Sequence, residues 1–162
     1  MENRLKRWTP DEARLKMADW CATQERCQAD AIQRMRSHGL TREEAGEILV
    51  FLITEDFINE ERYARAYARG HFNLKKWGRQ KISYGLRQKQ ISDYCIQKAL
   101  EEIDEDEHYL LLDKLAEAKW KSIGRATPAE RWSKTQRYLA GKGFGFEEIR
   151  KAMDRLSAGR EK

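Results

Sequence analysis

The 162 residues are 36% charged and 40% apolar with only two prolines, a balance too charged for a membrane protein and too apolar and proline-poor for a disordered one. The formal charge of +5 and a pI near 9.1 favour acidic partners in general, but only clustering of that charge is informative. Cys21, Cys27 and Cys95 form no C-x-x-C pair and have no histidine at ligand spacing, which argues against a disulfide framework and a zinc site.

The first twelve residues run from a basic start into polar residues without an apolar core of signal-peptide length, so a cytoplasmic protein is expected. The longest apolar run, residues 48–53, is far short of the ~20 residues that span a bilayer; no membrane contact is expected. Thr9-Pro10-Asp11-Glu12 announces a helix, with an N-cap hydroxyl, proline at the first helical position and a glutamate placed to close a capping box. Thr41-Arg42-Glu43-Glu44 repeats the box without proline, and Thr127-Pro128-Ala129-Glu130 repeats it with proline. Between these starts apolar residues recur at three and four, as in Ala13, Met17, Trp20, then Cys27, Ala31, Met35, then Ala45, Leu49, Leu52, the period of helices with one buried face. No segment alternates as a strand.

Three stretches superimpose without a gap: QRMRSHGLTREEAGEILVFL, YGLRQKQISDYCIQKALEEI and RYLAGKGFGFEEIRKAMDRL. In register, Met35 meets Leu86 and Leu139, Leu40 meets Ile91 and Phe144, Ala45 meets Ile96 and Ile149, Leu49 meets Leu100 and Met153, and Leu52 meets Ile103 and Leu156. Each copy reads as a helix end, a tight turn, a cap and a second helix, with room for another helix in front near residues 10–22, 60–73 and 106–121. The expected fold is all-α, three tandem three-helix repeats spanning 1–53, 54–104 and 105–162 in an elongated, curved molecule.

The segment Arg62 to Lys89 holds nine cations (Arg62, Arg65, Arg69, Lys75, Lys76, Arg79, Lys81, Arg87 and Lys89) and no Asp or Glu. The whole chain carries only +5, so the rest is net acidic. Arg62, Arg65 and Arg69 share one helix face, and clustered guanidinium and ammonium groups suit phosphate oxygens. Lys75, Lys76 and Arg79 surround Trp77-Gly78 at a helix entry, where exposed N–H groups favour an anion and Trp77 is placed to stack on a base. Tyr63, Tyr67, Phe72, Trp77 and Tyr84 also fall at helical spacings and read as core that holds the charges in place. Six acids in the seven residues Glu101 to Glu107 close the unit, as a fence for the basic surface or a linker onward.

No catalytic constellation is visible, so no enzyme, cofactor or metal is expected. His38, His71 and His108 lie far apart, each reading as a surface or partly buried histidine, and no phosphate-binding glycine motif occurs. Gly141-Lys142-Gly143-Phe144-Gly145 reads as a helix–helix turn with a left-handed C-cap.

The stretch LITEDFINEERYARAYARGHFNLKKWGRQKISYGLRQKQI, with AIQRMRSHGLTREEAGEIL before it and KTQRYLAGKGFGFEEIRKAMDRL after it, resembles the RecX family, regulators of the RecA recombinase, over most of residues 25–156. The resemblance implies three tandem three-helix repeats and a monomer that lodges in the groove of the RecA filament on DNA and inhibits it, touching single- or double-stranded DNA weakly and without sequence preference. The nine cations and Trp77 would then dock on filament or DNA. Gly78-Arg79 stands where many relatives have Gly-Pro, Gly85-Leu86 where they have an acid before leucine, and Gln90 ends a turn that glycine would otherwise end. Gly85 is expected to loosen its helix by ~1 kcal/mol. The alternative is a helix-turn-helix transcription factor, suggested by Gly39-Leu40-Thr41 between two helices.

Overall fold

The structure is a computed structural model and describes residues 5–160. Among the described residues the chain forms nine helices and no strand: α1 Pro10–Thr23, α2 Gln28–Ser37, α3 Arg42–Thr54, α4 Glu60–Asn73, α5 Arg79–Gln88, α6 Asp93–Leu100, α7 Glu105–Ser122, α8 Pro128–Gly141 and α9 Phe146–Arg160. The repeat expected from register is therefore present, with α1, α4 and α7 as the leading helices of three triplets.

One turn is written three times. Gly39, Gln90 and Gly143 all have positive φ, at 86°, 61° and 98°. Each closes the same pair of hydrogen bonds: their N–H groups donate to Arg36, Arg87 and Ala140, and the next residues, Leu40, Ile91 and Phe144, donate to Met35, Leu86 and Leu139. This left-handed cap satisfies helix-end carbonyls and drives the following apolar side chain back onto the helix it closes. Leu40, Ile91 and Phe144 are all buried, as are Met35, Leu86 and Leu139. In the first two pairs the second helix is then started by a side chain: Thr41 closes a full capping box with Glu44, and Ser92 accepts from the Cys95 N–H.

Thr127 likewise closes its box with Glu130. At Thr9 the box is half made: Thr9 Oγ1 accepts from the Glu12 N–H at 3.2 Å, but Glu12 Oε2 is buried without a partner rather than returned to the cap.

Three apolar clusters form the core. The first gathers Trp8, Met17, Met35, Ile48 and Leu52, and reaches Ile58 beyond α3. The second, around Tyr63, Phe72, Ile82, Leu86 and Ile96, takes in Cys27 from the α1–α2 loop. The third joins Leu112, Leu139, Phe144, Ile149 and Met153. All three cysteines are buried and unpaired. Among the described residues no helix is long and apolar enough to cross a membrane.

Candidate partner interface

Helix α4 starts at Asn59, whose Oδ1 accepts from the Arg62 N–H at 2.9 Å, with Glu60 and Glu61 in its first turn. Tyr63, Ala64, Ala68 and Phe72 are its buried stripe, which leaves Arg62, Arg65 and Arg69 on the flank. That row is not bare. Arg62 Nε meets Glu25 Oε1 at 2.6 Å, while its two terminal nitrogens meet Asp56 Oδ2 at 3.0 Å and the Asp56 carbonyl at 2.9 Å. Asp56 is itself left-handed, at φ 62°, so Arg62 pins the α3–α4 turn and the α1–α2 loop together. Arg65 bridges Glu61 at 3.0 Å and Glu102 at 2.8 Å, and Arg69 reaches the other Glu102 oxygen at 3.3 Å. Lys89 grips both Asp30 oxygens, at 3.0 and 3.1 Å. Hydrogen bonds from Arg65 and Arg69 hold the Glu102 carboxyl below the usual carboxylate range, and the bond to Asp30 raises Lys89.

Four of the nine cations are thus matched by carboxylates of this same chain. The acidic run accounts for part of the match: Glu101 and Glu102 face the arginines, while Asp104 caps α7 and Glu105, Asp106 and Glu107 fill its first turn. It fences and links at once.

The entry to α5 is also different from its sequence reading. Its cap, Gly78, makes no side-chain hydrogen bond, and its N–H groups are not open to an anion. Gly78 N–H donates to the Lys142 carbonyl at 2.7 Å, Gln80 N–H to the Gly143 carbonyl at 3.0 Å, and Arg79 N–H to His108 Nε2 at 3.3 Å. The positive end of α5 sits on the negative end of α8, a head-to-tail match of helix dipoles. Only glycines allow it: a Cβ on Gly78 would lie 2.6 Å from the Gly143 oxygen, and one on Gly143 would collide with Lys81.

His108, expected at or near the surface, is fully buried, between Phe72 and Phe144. Burial, reinforced by the Arg79 charge, pushes its pKa down to about 4. Its Nδ1 has no hydrogen-bond partner and lies 3.7 Å from Glu148 Oε2.

Of the aromatics, Tyr63 and Phe72 are core, Tyr67 and Trp77 are half-buried, and Tyr84 is 62% exposed. Trp77 is enclosed rather than presented: His71 and Tyr67 stand 4.6 and 6.5 Å from it, and Lys81 Nζ lies 4.6 Å from its centroid. Gly85 is explained by Tyr67, whose hydroxyl occupies the place a Cβ would take; the residue that weakens α5 in propensity makes room for packing. Lys75, Lys76 and Arg87 are exposed, Arg79 and Lys81 partly so. Among the described residues, no group of three or more His, Cys, Asp or Glu is placed to hold a metal ion.

The fold and this site define an all-α tandem-repeat protein. It belongs to the RecX family. Family profiles described as the second and third three-helix domains of RecX match residues 59–100 and 105–153. The regulatory protein RecX of Clostridium tetani is 31% identical over 125 residues, covering 76% of this chain and 57% of that protein. That of Chromohalobacter salexigens is 30% identical over 125 residues, covering 77% and 80%. The crystal structure of RecX from Lactobacillus salivarius superimposes with a TM-score of 0.80 over 92% of this chain and 97% of the other, at 23% identity, and so speaks to the fold. A crystal structure of regulatory protein RecX aligns at 0.78 over 90% and 73%, with 25% identity.

Proposed function

We propose that this chain regulates a RecA-type recombinase by docking on its filament on DNA and inhibiting recombination and ATP hydrolysis. Membership of the RecX family carries this reading, because the relatives are named regulatory proteins. The charge left after internal pairing supports it: Lys75, Lys76, Arg79, Lys81 and Arg87 stay clear of carboxylates while Arg62, Arg65, Arg69 and Lys89 do not. A nucleoprotein presents phosphate and protein together, so both sets have a role, the first as contacts and the second as the brace that shapes α4 and α5.

The helix-turn-helix alternative is poorer. The helix after Gly39-Leu40-Thr41 is α3, which carries Arg42 against Glu43, Glu44 and Glu47; acids at a recognition helix repel the phosphates that position such a motif. The turn itself is the repeat's own joint, found three times.

The test is a titration of the purified chain into recombinase with single-stranded DNA while ATP hydrolysis is followed. Dose-dependent inhibition is expected; hydrolysis that stays constant at excess chain overturns the reading.

A further inference from the structure

Apart from Arg87 at the far end of α5, the basic charge of the segment that remains after internal pairing lies at the joint between the second and third triplets, and a residue far away in sequence joins it. Lys142 Nζ donates to the Lys75 carbonyl at 2.9 Å, and Lys81 Nζ to the Gly141 carbonyl at 3.1 Å. Lys76 follows Lys75 in a left-handed turn at φ 60° and is exposed. Arg79 is one residue from Gly78, whose N–H meets the Lys142 carbonyl. Among the described residues no carboxylate lies within 4.0 Å of any of these five cations.

A purely structural role for the lysines is to cap the ends of α4 and α8. Magnitudes decide against that as the whole account. Each helix C-terminus carries about half a negative charge, that of α8 already faces the positive end of α5, and Glu148 stands beside His108 without reaching any of the five cations. These offset only part of the five positive charges. The rest is a surplus that repels itself in the free protein and is relieved by a polyanion.

The arginines of α4 are already committed to Glu25, Asp56, Glu61 and Glu102. What is left is mostly ammonium, point charges that bind phosphate oxygens without a fixed geometry, and a nucleic-acid backbone presents phosphates at the close spacing that this surplus requires. Lys81 and Lys142 each spend one of three donors on a carbonyl, which fixes the stem and leaves donors free. Trp77 is half-buried and packed by His71, Tyr67 and Lys81, so the contacts assigned here are to phosphates rather than to bases.

We propose that this joint is a docking site for the backbone phosphates of a nucleic-acid strand, contacted by Lys75, Lys76, Lys81 and Lys142. The proposal rests on the nucleoprotein reading above and adds to it a surface and a residue, Lys142, from outside the basic segment. Because one half of the site belongs to α4–α5 and the other to the α8–α9 turn, strand binding also clasps the two triplets together.

The test is fluorescence anisotropy of a labelled thirty-nucleotide thymidine oligomer with the full chain across a salt series. Single strands lose about 0.7 in the slope of log affinity against log salt per phosphate contact removed. The Lys75→Gln, Lys81→Gln, Lys142→Gln triple variant should therefore bind more weakly, with a slope shallower by about 2. Arg65→Gln with Arg69→Gln should leave the slope as it is. Lys75→Gln alone, at an exposed position, should lose about 0.7 and serves should the triple variant fold poorly by circular dichroism. An unchanged slope in the Lys variants, loss in the Arg variant instead, or binding to recombinase with no oligomer binding at any salt each overturns the proposal. Failure of the regulator reading looks different: oligomer binding keeps its dependence on the lysines while recombinase ATP hydrolysis is unaffected.

Discussion

The backbone N–H of Arg79 donates to Nε2 of His108 at 3.3 Å, so a residue that opens α5 is held by a fully buried imidazole of α7. The acceptor nitrogen must be unprotonated, which fixes the neutral ring with its hydrogen on Nδ1. Protonation would forfeit this bond and place a charge beside Arg79 in an apolar site.

His108 has a pKa near 4 in the folded chain against 6.5 unfolded, so between those values the unfolded state binds the extra proton. Stability is fully present above pH 6.5 and declines as pH falls toward 4, by about 3 kcal/mol over the whole window. Urea melts of wild type and His108→Gln at pH 7.5 and 4.5 isolate the contribution. The wild type should lose about 2 to 3 kcal/mol more than the variant between the two pH values; parallel losses would mean that the ring titrates normally.

Gln90 occupies a position that its two counterparts fill with glycine, at φ 61°. A left-handed residue with a Cβ costs about 1–2 kcal/mol, and glycine returns part of that through its larger unfolded-state entropy. Gln90→Gly should stabilise the chain by about 0.5–1 kcal/mol, seen as a higher denaturation midpoint with an unchanged m-value. Gly39→Ala should act in the opposite direction, since its φ is 86° and a Cβ would also crowd the Arg7 side chain.

These turns explain what could be read from the chain and what could not. The repeat was legible because Met35, Leu86 and Leu139 are apolar at one register and all fully buried, and periodicity reports which face of a helix meets its own unit. Residues 10–22, 60–73 and 106–121, expected as leading helices, coincide with α1, α4 and α7 to within a residue or so. Periodicity does not report how one unit meets the next. Glu25 and Arg62 are 37 residues apart, Asp30 and Lys89 are 59 apart, and Lys75 and Lys142 are 67 apart; each pair depends on an angle between units that no local pattern encodes. His108 was misread for the same reason, because two of the rings against it, Phe72 and Phe144, come from different units. A usable signal existed only for Glu101 and Glu102, as a dense acidic run directly after a dense basic one.

Gly78 and Gly143 are the hinge plates of the α5–α8 contact. Gly78→Ala would place a methyl 2.6 Å from the Gly143 oxygen and 3.0 Å from the Phe144 ring, against backbone that has no rotamer to escape into. The change should cost about 1–3 kcal/mol, the usual range for overpacking. Hydrogen exchange locates the effect: the Gln80 and Arg79 amides should lose protection, while the Leu40 amide, in the equivalent turn of the first triplet, should keep it.

Glu102 tests the paired arginines directly, because one carboxylate holds both Arg65 and Arg69, at 2.8 and 3.3 Å. Glu102→Gln keeps the shape and a carbonyl acceptor but removes the charge, so Arg69 loses its carboxylate partner while Arg65 keeps Glu61 at 3.0 Å and α4 stays in place. Oligonucleotide binding by the variant should tighten at low salt, with a slope steeper by about 0.7, one further phosphate contacted by the freed Arg69. Wild-type binding should meanwhile be indifferent to Arg65→Gln, since in the intact chain that arginine is already spent on Glu61 and Glu102. If Arg65→Gln alone weakens binding and Glu102→Gln leaves it unchanged, the internal pairs open on contact with DNA, and the α4 face rather than the Lys75–Lys142 joint is where the strand lies.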